Sequence, residues 1–298
     1  MRRFVVFLAV IGLIVAATLW VASAPRGGDP ALVADLRGDA MRGQVVFTAA
    51  GCASCHMAPG ATGDAELVLS GGQRFVTAFG TFVAPNISSD PAQGIGGWPL
   101  SDLVNALKYG VSPDGQHYYP ALPYDAYTQM TLQDIADLHA YLATLPADAT
   151  PSAAHEIGFP FNIRRAVGLW KLLYLRSGWT INGKLTPVQE RGRYIAEAMA
   201  HCSACHTPRD VLGGPDRSRW LAGAPSPDGK GTIPNITPAR LTWTEAEIVA
   251  YSRRSSIPWA ARWSRWSRTS AACPTATVPR WRPISSWCRA SHDPDRTV

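Results

Sequence analysis

A long apolar run opens the chain. After two arginines, residues 4–24 contain no charged side chain. A run of this length can cross a bilayer as a helix, and the arginines before it predict a cytoplasmic start. Residues 1–24 are therefore predicted to be a membrane anchor or signal segment, with the remainder outside the cytoplasm. The Ala-Ser-Ala sequence at 22–24 resembles a signal-peptidase site, but Pro25 directly after it disfavours cleavage and favours a retained anchor.

Three later segments show the periodicity of helices. Apolar side chains in residues 39–51 share one helical face, which ends in a glycine directly before a cysteine. Residues 131–144 begin with Thr131 and Asp134 at capping-box spacing, and apolar residues then recur at intervals of three and four. Residues 166–174 predict an amphipathic helix that packs between two domains. Docking of a partner or contact with a membrane is the alternative for this helix.

The basic charge of the chain is confined to its C-terminal segment. The 298 residues carry a formal net charge of +6. Residues 252–298 hold nine arginines and two aspartates, a net charge of +7, which leaves −1 for the rest. Charge confined to a tail does not indicate a nucleic-acid surface, and no nucleic-acid partner is predicted. The segment lacks glycine, leucine and sustained periodicity, and we interpret it as the product of a frameshift, with a disordered basic tail as the alternative.

Two copies of a Cys-x-x-Cys-His motif, at residues 52–56 and 202–206, carry the clearest chemistry. The histidine directly after the second cysteine distinguishes them from a redox pair or half a zinc site. Two cysteines three positions apart lie on one helical turn, where their sulfur atoms can form thioethers to a haem while the adjacent imidazole binds the iron. Two covalently bound c-type haems are therefore predicted. The residues that hold them are Cys52, Cys55 and His56 for the first haem, and Cys202, Cys205 and His206 for the second.

Met130 is the predicted distal ligand of the first haem. It follows a proline-rich loop and directly precedes the predicted helix at 131–144. Ligation by methionine and histidine raises the reduction potential, which suits an electron carrier. The alternative is a methionine that fills the core. No methionine occurs after Met199, so the distal side of the second haem has no assigned ligand.

The two motifs belong to an internal repeat with a period of about 150 residues. An Arg-Gly pair precedes each motif, a Pro-Asn segment follows it, and a tryptophan then leads into a helical pattern. The matched landmarks are Arg42-Gly43 with Arg191-Gly192, VAPNIS at 83–88 with TIPNIT at 232–237, and Trp98 with Trp243. Three landmarks in the same order indicate duplication of one domain.

Several longer stretches carry a resemblance to a known family. The stretches CASCH, APNISSDPAQGIGGW, GVSPDGQHYYPALPY, FPFNIRRAVGLWKLLY and CSACHTPR resemble the cytochrome c subunits of bacterial membrane-bound alcohol, aldehyde and gluconate dehydrogenases, and related dihaem cytochromes. The resemblance covers residues 35–251. It implies a haem subunit on the periplasmic side of the inner membrane. Such a subunit accepts electrons from a membrane-bound dehydrogenase subunit and passes them to quinone or a terminal oxidase.

The expected fold is all-α, with two tandem class I cytochrome c-like domains after an N-terminal transmembrane helix. Residues 35–146 form the first domain and residues 186–251 a truncated second domain, joined by a linker at 147–185. Electron transfer is the predicted function, and no catalytic residue is assigned. The alternative is a dihaem redox enzyme, a peroxidase or a thiosulfate-oxidising cytochrome, that uses a second haem without a methionine ligand.

Overall fold

A computed structural model describes residues 1–254 and shows a mainly helical chain. The helices are α1 (Arg2–Ala22), α2 (Ala40–Ala50), α3 (Cys52–His56), α4 (Leu100–Val104), α5 (Tyr124–Tyr127), α6 (Leu132–Leu142), α7 (Ala166–Tyr174), α8 (Pro187–Tyr194), α9 (Ser203–His206) and α10 (Glu245–Arg254). Short 3-10 turns cover Pro30–Val33, Gly63–Leu67 and Arg217–Arg219, and π-helical turns follow α4 over Asn105–Tyr109 and α8 over Ile195–Met199. Of the segment interpreted as a frameshift product, residues 255–298 lie outside the described residues.

Helices α2 and α6 confirm two of the periodic patterns and cross each other closely. The Asp39 side chain caps α2 by accepting from the Arg42 amide at 2.9 Å, and Thr131 caps α6 in the same way. A Cβ atom on Gly43 would lie 1.9 Å from the Asp137 carbonyl oxygen, so only glycine fits at this crossing. The Arg42 guanidinium also pairs with the Asp137 carboxylate at 2.7 Å. The crossing is therefore fixed by a backbone contact and an ion pair together.

One buried cluster includes side chains from both repeats. Val46 and Phe47 from α2 pack with Leu138 and other residues of α6, and Met199 from the second repeat belongs to the same cluster. Burying a large aliphatic side chain stabilises a fold by about 1.5–3 kcal/mol. The segment before the second CxxCH motif is therefore held by the core of the first repeat.

The all-α prediction was wrong in one respect, because two short antiparallel hairpins are present. The strands are β1 (Arg74–Thr77) paired with β2 (Gly80–Val83), and β3 (Ala224–Pro225) paired with β4 (Thr232–Ile233). Phe, Val and Thr dominate the first hairpin, and these residues favour pleated backbone. Its turn ends at Gly80, whose φ of 123° favours glycine. Thr81 also exchanges two backbone hydrogen bonds of 2.9 Å with Glu156, far along the chain.

Helix α7 confirms the third periodic pattern and lies between the two repeats. On one side Lys171 donates to the Tyr109 carbonyl oxygen at 2.6 Å, in the first repeat. On another side the Trp170 indole donates to the Leu212 carbonyl oxygen at 3.1 Å, and Tyr174 donates to Asp210 at 2.7 Å. The structure therefore confirms the prediction that this helix packs between the two repeats.

Helix α1 is long and apolar enough to cross a membrane, and none of its residues is buried. Its C-terminal end is attached to the rest of the protein. The Nε2–H group of His117 donates to the Ser23 carbonyl oxygen at 2.8 Å, and Arg165 donates to the Trp20 carbonyl oxygen and the Ser23 hydroxyl. The carbonyl groups of Trp20 and Ser23, at the end of α1, thus accept hydrogen bonds from side chains far along the chain.

Candidate haem-binding site

The first CxxCH motif forms a single turn of helix, α3, directly after α2. Gly51 separates the two helices with φ 65°, a left-handed conformation that ends α2 and redirects the chain. Cys52 and Cys55 are half-buried free thiols on this turn. Burial raises the pKa of Cys52 to about 12 and also raises the pKa of Cys55. Both sulfur atoms are therefore protonated thiols at neutral pH.

His56 is oriented by a carbonyl group from a distant loop. Its Nδ1–H group donates to the Pro85 carbonyl oxygen at 2.8 Å, so Nε2 is the nitrogen available to a metal. Burial lowers the pKa of His56, which favours the neutral imidazole that metal binding requires. The backbone carbonyl of His56 also accepts from the Gly71 amide at 2.7 Å. The imidazole is thus held at its side chain and at its backbone.

The second motif repeats this arrangement. The Nδ1–H group of His206 donates to the Pro234 carbonyl oxygen at 2.8 Å, and the Gly223 amide donates to the His206 carbonyl at 2.7 Å. Cys202 and Cys205 are free thiols, and burial raises the pKa of Cys205 to about 12. Burial lowers the pKa of His206 as it lowers that of His56. Both motifs therefore offer two thiols and one neutral, oriented imidazole.

Met130 lies between α5 and α6 and is 1% exposed. Its backbone carbonyl accepts from the ammonium group of Lys108 at 2.6 Å, and the same ammonium donates to the Thr128 carbonyl at 2.6 Å. These bonds fix the chain where the proline-rich loop meets α6. A buried and positioned thioether suits either the core or a metal, so burial alone does not separate the two interpretations of Met130.

The two motifs contact each other through the residues that precede them. The Nε2–H group of His201 donates to the Ala50 carbonyl oxygen at 3.1 Å, and its ring packs edge-on against Tyr127 at 5.5 Å. His201 also has φ 39°, in the left-handed region that few residues other than glycine adopt.

Three residues that position the site were not identified from the sequence. Pro85 and Pro234 act through their carbonyl groups, and the matched Pro-Asn segments of the repeat were the available signal. His201 had no comparable signal, because neither its positive φ nor its bond to a residue 151 positions away is visible in a local pattern.

The donor set fits a covalently attached haem better than a bare metal ion. Each motif places two thiols beside one imidazole on a single turn, which matches two thioether links and one iron ligand. Within residues 1–254, no group of three or more His, Cys, Asp or Glu side chains could hold a metal ion.

Comparison with known proteins agrees with this chemistry. The cytochrome c family profile matches residues 40–146. A protein of Cereibacter sphaeroides described as "Diheme cytochrome c-type" is 52% identical over 257 residues, which is 86% of each chain. The fructose dehydrogenase cytochrome subunit of Gluconobacter japonicus is 36% identical over 218 residues, 70% of this chain and 43% of the relative. The gluconate 2-dehydrogenase cytochrome c subunit of Pantoea cypripedii is 30% identical over 217 residues, 69% of this chain and 48% of the relative.

These relatives differ in how much of their length they share with this protein. The chain spans less than half of the two dehydrogenase subunits but most of the Cereibacter protein. Identity of 52% across most of both chains, together with the cytochrome c profile, shows common descent. The chain belongs to the family of dihaem c-type cytochromes.

Proposed function

We propose that this protein is a membrane-anchored, periplasmic electron carrier that relays single electrons from a dehydrogenase to quinone or a terminal oxidase. The observation that carries the proposal is the contact between the two CxxCH motifs. His201, directly before the second motif, bonds to Ala50, close before the first, so the segments that lead into the two motifs touch. Because electron tunnelling weakens steeply with distance, adjacent attachment sites favour transfer between cofactors rather than two independent centres.

Each repeat supplies one complete attachment site. Two cysteines and one histidine per motif hold a haem: Cys52, Cys55 and His56 in the first repeat, and Cys202, Cys205 and His206 in the second. Haem c, when bound, supplies reversible one-electron chemistry at its iron. The carbonyl groups of Pro85 and Pro234 keep Nδ1 of each histidine occupied and so fix the tautomer that presents Nε2.

Met130 is proposed as the distal ligand of the first haem. The Lys108 ammonium donates to the backbone carbonyls of Thr128 and Met130, so the backbone of Met130 is held in place without using its sulfur atom. A thioether held in this way would raise the reduction potential of the first haem and would leave no position on its iron for external ligands. The second haem receives no distal ligand from the described residues in this proposal.

We assign residues 35–146 to a first haem domain and residues 186–251 to a second, truncated one. Support comes from the repeated histidine-to-proline bonds and from the repeated glycine amides that bond to the histidine carbonyls. Residues 147–185, which include α7, link the two.

Helix α1 is proposed to be retained as a membrane anchor. The Ser23 side chain is buried, and its carbonyl accepts from the equally buried His117. Cleavage after Ala24 would remove Ser23 and leave the His117 and Arg165 side chains without these acceptors. Loss of a buried hydrogen-bond partner costs about 1–3 kcal/mol, so the structure favours the uncleaved chain.

The experiment that tests the proposal uses the full chain purified from membranes. Intact mass should show the uncleaved N-terminus and two haems. Electron paramagnetic resonance should show a low-spin signal from the first haem, and peroxide should not be turned over. A high-spin, peroxide-reactive second haem with turnover would instead support the redox-enzyme alternative. A single haem, or none, would contradict the assignment of the two motifs.

The electron donor can be sought with the substrates named for the relatives. Membranes that contain this protein should reduce its haem, seen as sharpening of the visible absorption bands, on addition of the correct sugar, sugar acid or alcohol. An electron carrier is reduced only when its donor dehydrogenase is present. The same substrate should therefore leave the haem oxidised in membranes from cells that lack that dehydrogenase.

A further inference from the structure

Helix α7 shows an unusual distribution of its side chains. Its charged residue, Lys171, points inward, where the ammonium bonds to the carbonyl groups of Tyr109 and Gly110 at 2.6 and 2.7 Å and lies 4.8 Å from the Tyr124 ring centroid. Two of its leucines, Leu172 and Leu173, are each 59% exposed. A surface helix normally has the opposite arrangement, with apolar residues inside. Something other than water is therefore expected to cover these leucines.

The exposed side of α7 continues the side that contacts α1. A Cβ atom on Gly168 would lie 2.2 Å from the Ser23 carbonyl oxygen, and the Arg165 guanidinium lies 4.3 Å from the Trp20 ring centroid. Leu172 follows Gly168 by four positions and Arg165 by seven, so it lies on the same helical stripe. The leucines are thus next to the end of the segment that is able to cross a membrane.

The surrounding sequence has one sign of charge. Residues 157–189 contain five basic residues and no acidic residue. Arg164 and Arg176 belong to this stretch, one on each side of α7, and Arg176 is exposed. Basic residues that flank an apolar helical face match the anionic headgroups and the acyl chains of a phospholipid surface.

We propose that the face of α7 formed by Leu169, Leu172 and Leu173 is a second membrane contact, which lies in the boundary between headgroups and acyl chains of anionic phospholipid beside the end of α1. The proposal rests on the anchoring role proposed for α1. The continuity with α1 and the absence of acidic residues from residues 157–189 favour lipid over a protein partner.

The contact has a consequence for the haem-binding regions. Lys171 ties α7 to the first repeat, and Trp170 ties it to the second. A single anchoring helix leaves a domain free to rotate about that helix. A second contact through α7 fixes the orientation of both repeats relative to the membrane surface.

The test uses the full holoprotein in vesicles of phosphatidylcholine and phosphatidylglycerol that include a phospholipid with a diazirine group in its acyl chain. After photolysis, mass spectrometry should find lipid adducts on peptides from α1 and from α7. The double variant L172Q/L173Q should lose most of the α7 adducts, about fivefold or more, because two exposed apolar contacts are removed. Its α1 adducts and its haem absorption should not change.

A matched control is Val45→Gln in α2, where the side chain is 61% exposed and lies outside the basic stretch at 157–189. This variant should leave the α7 adducts unchanged, and vesicles without phosphatidylglycerol should reduce them. Adducts on α1 with only background on α7 would overturn the proposal and leave the anchoring intact. Adducts on neither helix would overturn the anchoring itself. Background labelling of α7 in vesicles, with cross-links from Leu172 to another polypeptide in native membranes, would overturn the lipid contact in favour of a protein partner.

Discussion

The two repeats share the geometry of their CxxCH motifs but differ in what surrounds it. His56 and His206 each donate to a proline carbonyl at 2.8 Å. Around them the packing is unequal, since Val46 in α2 is 3% exposed while Ile195, at the matching position, is 38% exposed. Orientation of the histidine therefore depends on the Pro-Asn segment that follows the motif and not on complete enclosure of the helix before it.

The helices that follow the matched tryptophans show the same inequality. Leu103 and Val104 in α4 are buried, whereas Ile248 and Val249 at the corresponding positions of α10 are exposed. The apolar residues of this helix are thus present in both repeats, but within residues 1–254 they are covered only in the first. The two copies therefore share their attachment residues but differ in the burial of the helix that follows the matched tryptophan.

The largest difference in the free energy of unfolding is expected between alanine variants of the matched glycines, Gly43 and Gly192. Gly43→Ala places a Cβ atom 1.9 Å from the Asp137 carbonyl, which forces α2 and α6 apart at a cost of about 3 kcal/mol. Gly192→Ala meets no atom within 4 Å and should stabilise α8 by about 0.5–1 kcal/mol, because alanine is the better helix former. Urea unfolding of both holoproteins, followed by circular dichroism, measures the two effects. Equal losses in both variants would show that the two helices are enclosed alike.

Replacing the arginines beside those glycines, Arg42 and Arg191, should give a somewhat smaller difference in the free energy of unfolding. Arg42 pairs with the buried Asp137 carboxylate, whereas the Arg191 guanidinium lies over the Tyr194 ring, 5.4 Å from its centroid. Removing a charged hydrogen-bond partner from a buried carboxylate costs about 2 kcal/mol, so we expect that loss for Arg42→Ala. A surface change such as Arg191→Ala should stay within about 0.5 kcal/mol.

The Arg42 effect should also depend on pH. The Arg42 guanidinium holds the pKa of Asp137 below its usual range, so the stabilisation is present in full above the unfolded-state pKa of about 4. It is lost as pH falls through the lowered native-state pKa. The penalty of Arg42→Ala should therefore shrink in unfolding measurements at acidic pH, and a penalty that stays constant with pH would contradict the ion pair as its cause.

Elements that depend on a local pattern could be predicted from the sequence, whereas elements that depend on contacts between distant residues could not. Helices α2, α6 and α7 follow from periodicity and caps, since Thr131 and Asp39 act on neighbouring amides. The hairpin at Gly80 was missed because its strands are only four residues long and are stabilised in part by Glu156, far along the chain. Both CxxCH motifs were found because three residues carry the chemistry within one helical turn.

Replacing Met130 should change the stability of the protein little and the spectrum of one haem strongly. Met130 and Met199 are both 1% exposed, so replacement of either by leucine should cost about 1 kcal/mol. Only Met130→Leu removes a proposed iron ligand, so only this variant should convert one haem to high spin and lower its reduction potential. Met199→Leu is the matched control. Unchanged spectra in both variants would mean that Met130 fills the core.

The last comparison concerns His201, where the two repeats meet. Both His201→Gly and His201→Ala remove the bond to Ala50 and the packing against Tyr127. Only the alanine variant keeps a Cβ atom at φ 39°, so it should be about 1 kcal/mol less stable than the glycine variant. Both should slow equilibration between the haems after photoreduction, because the contact that holds the motifs together is lost. A normal rate in both variants would show that the core around Met199 is sufficient to hold the motifs in place, and that the contact is not what couples the repeats.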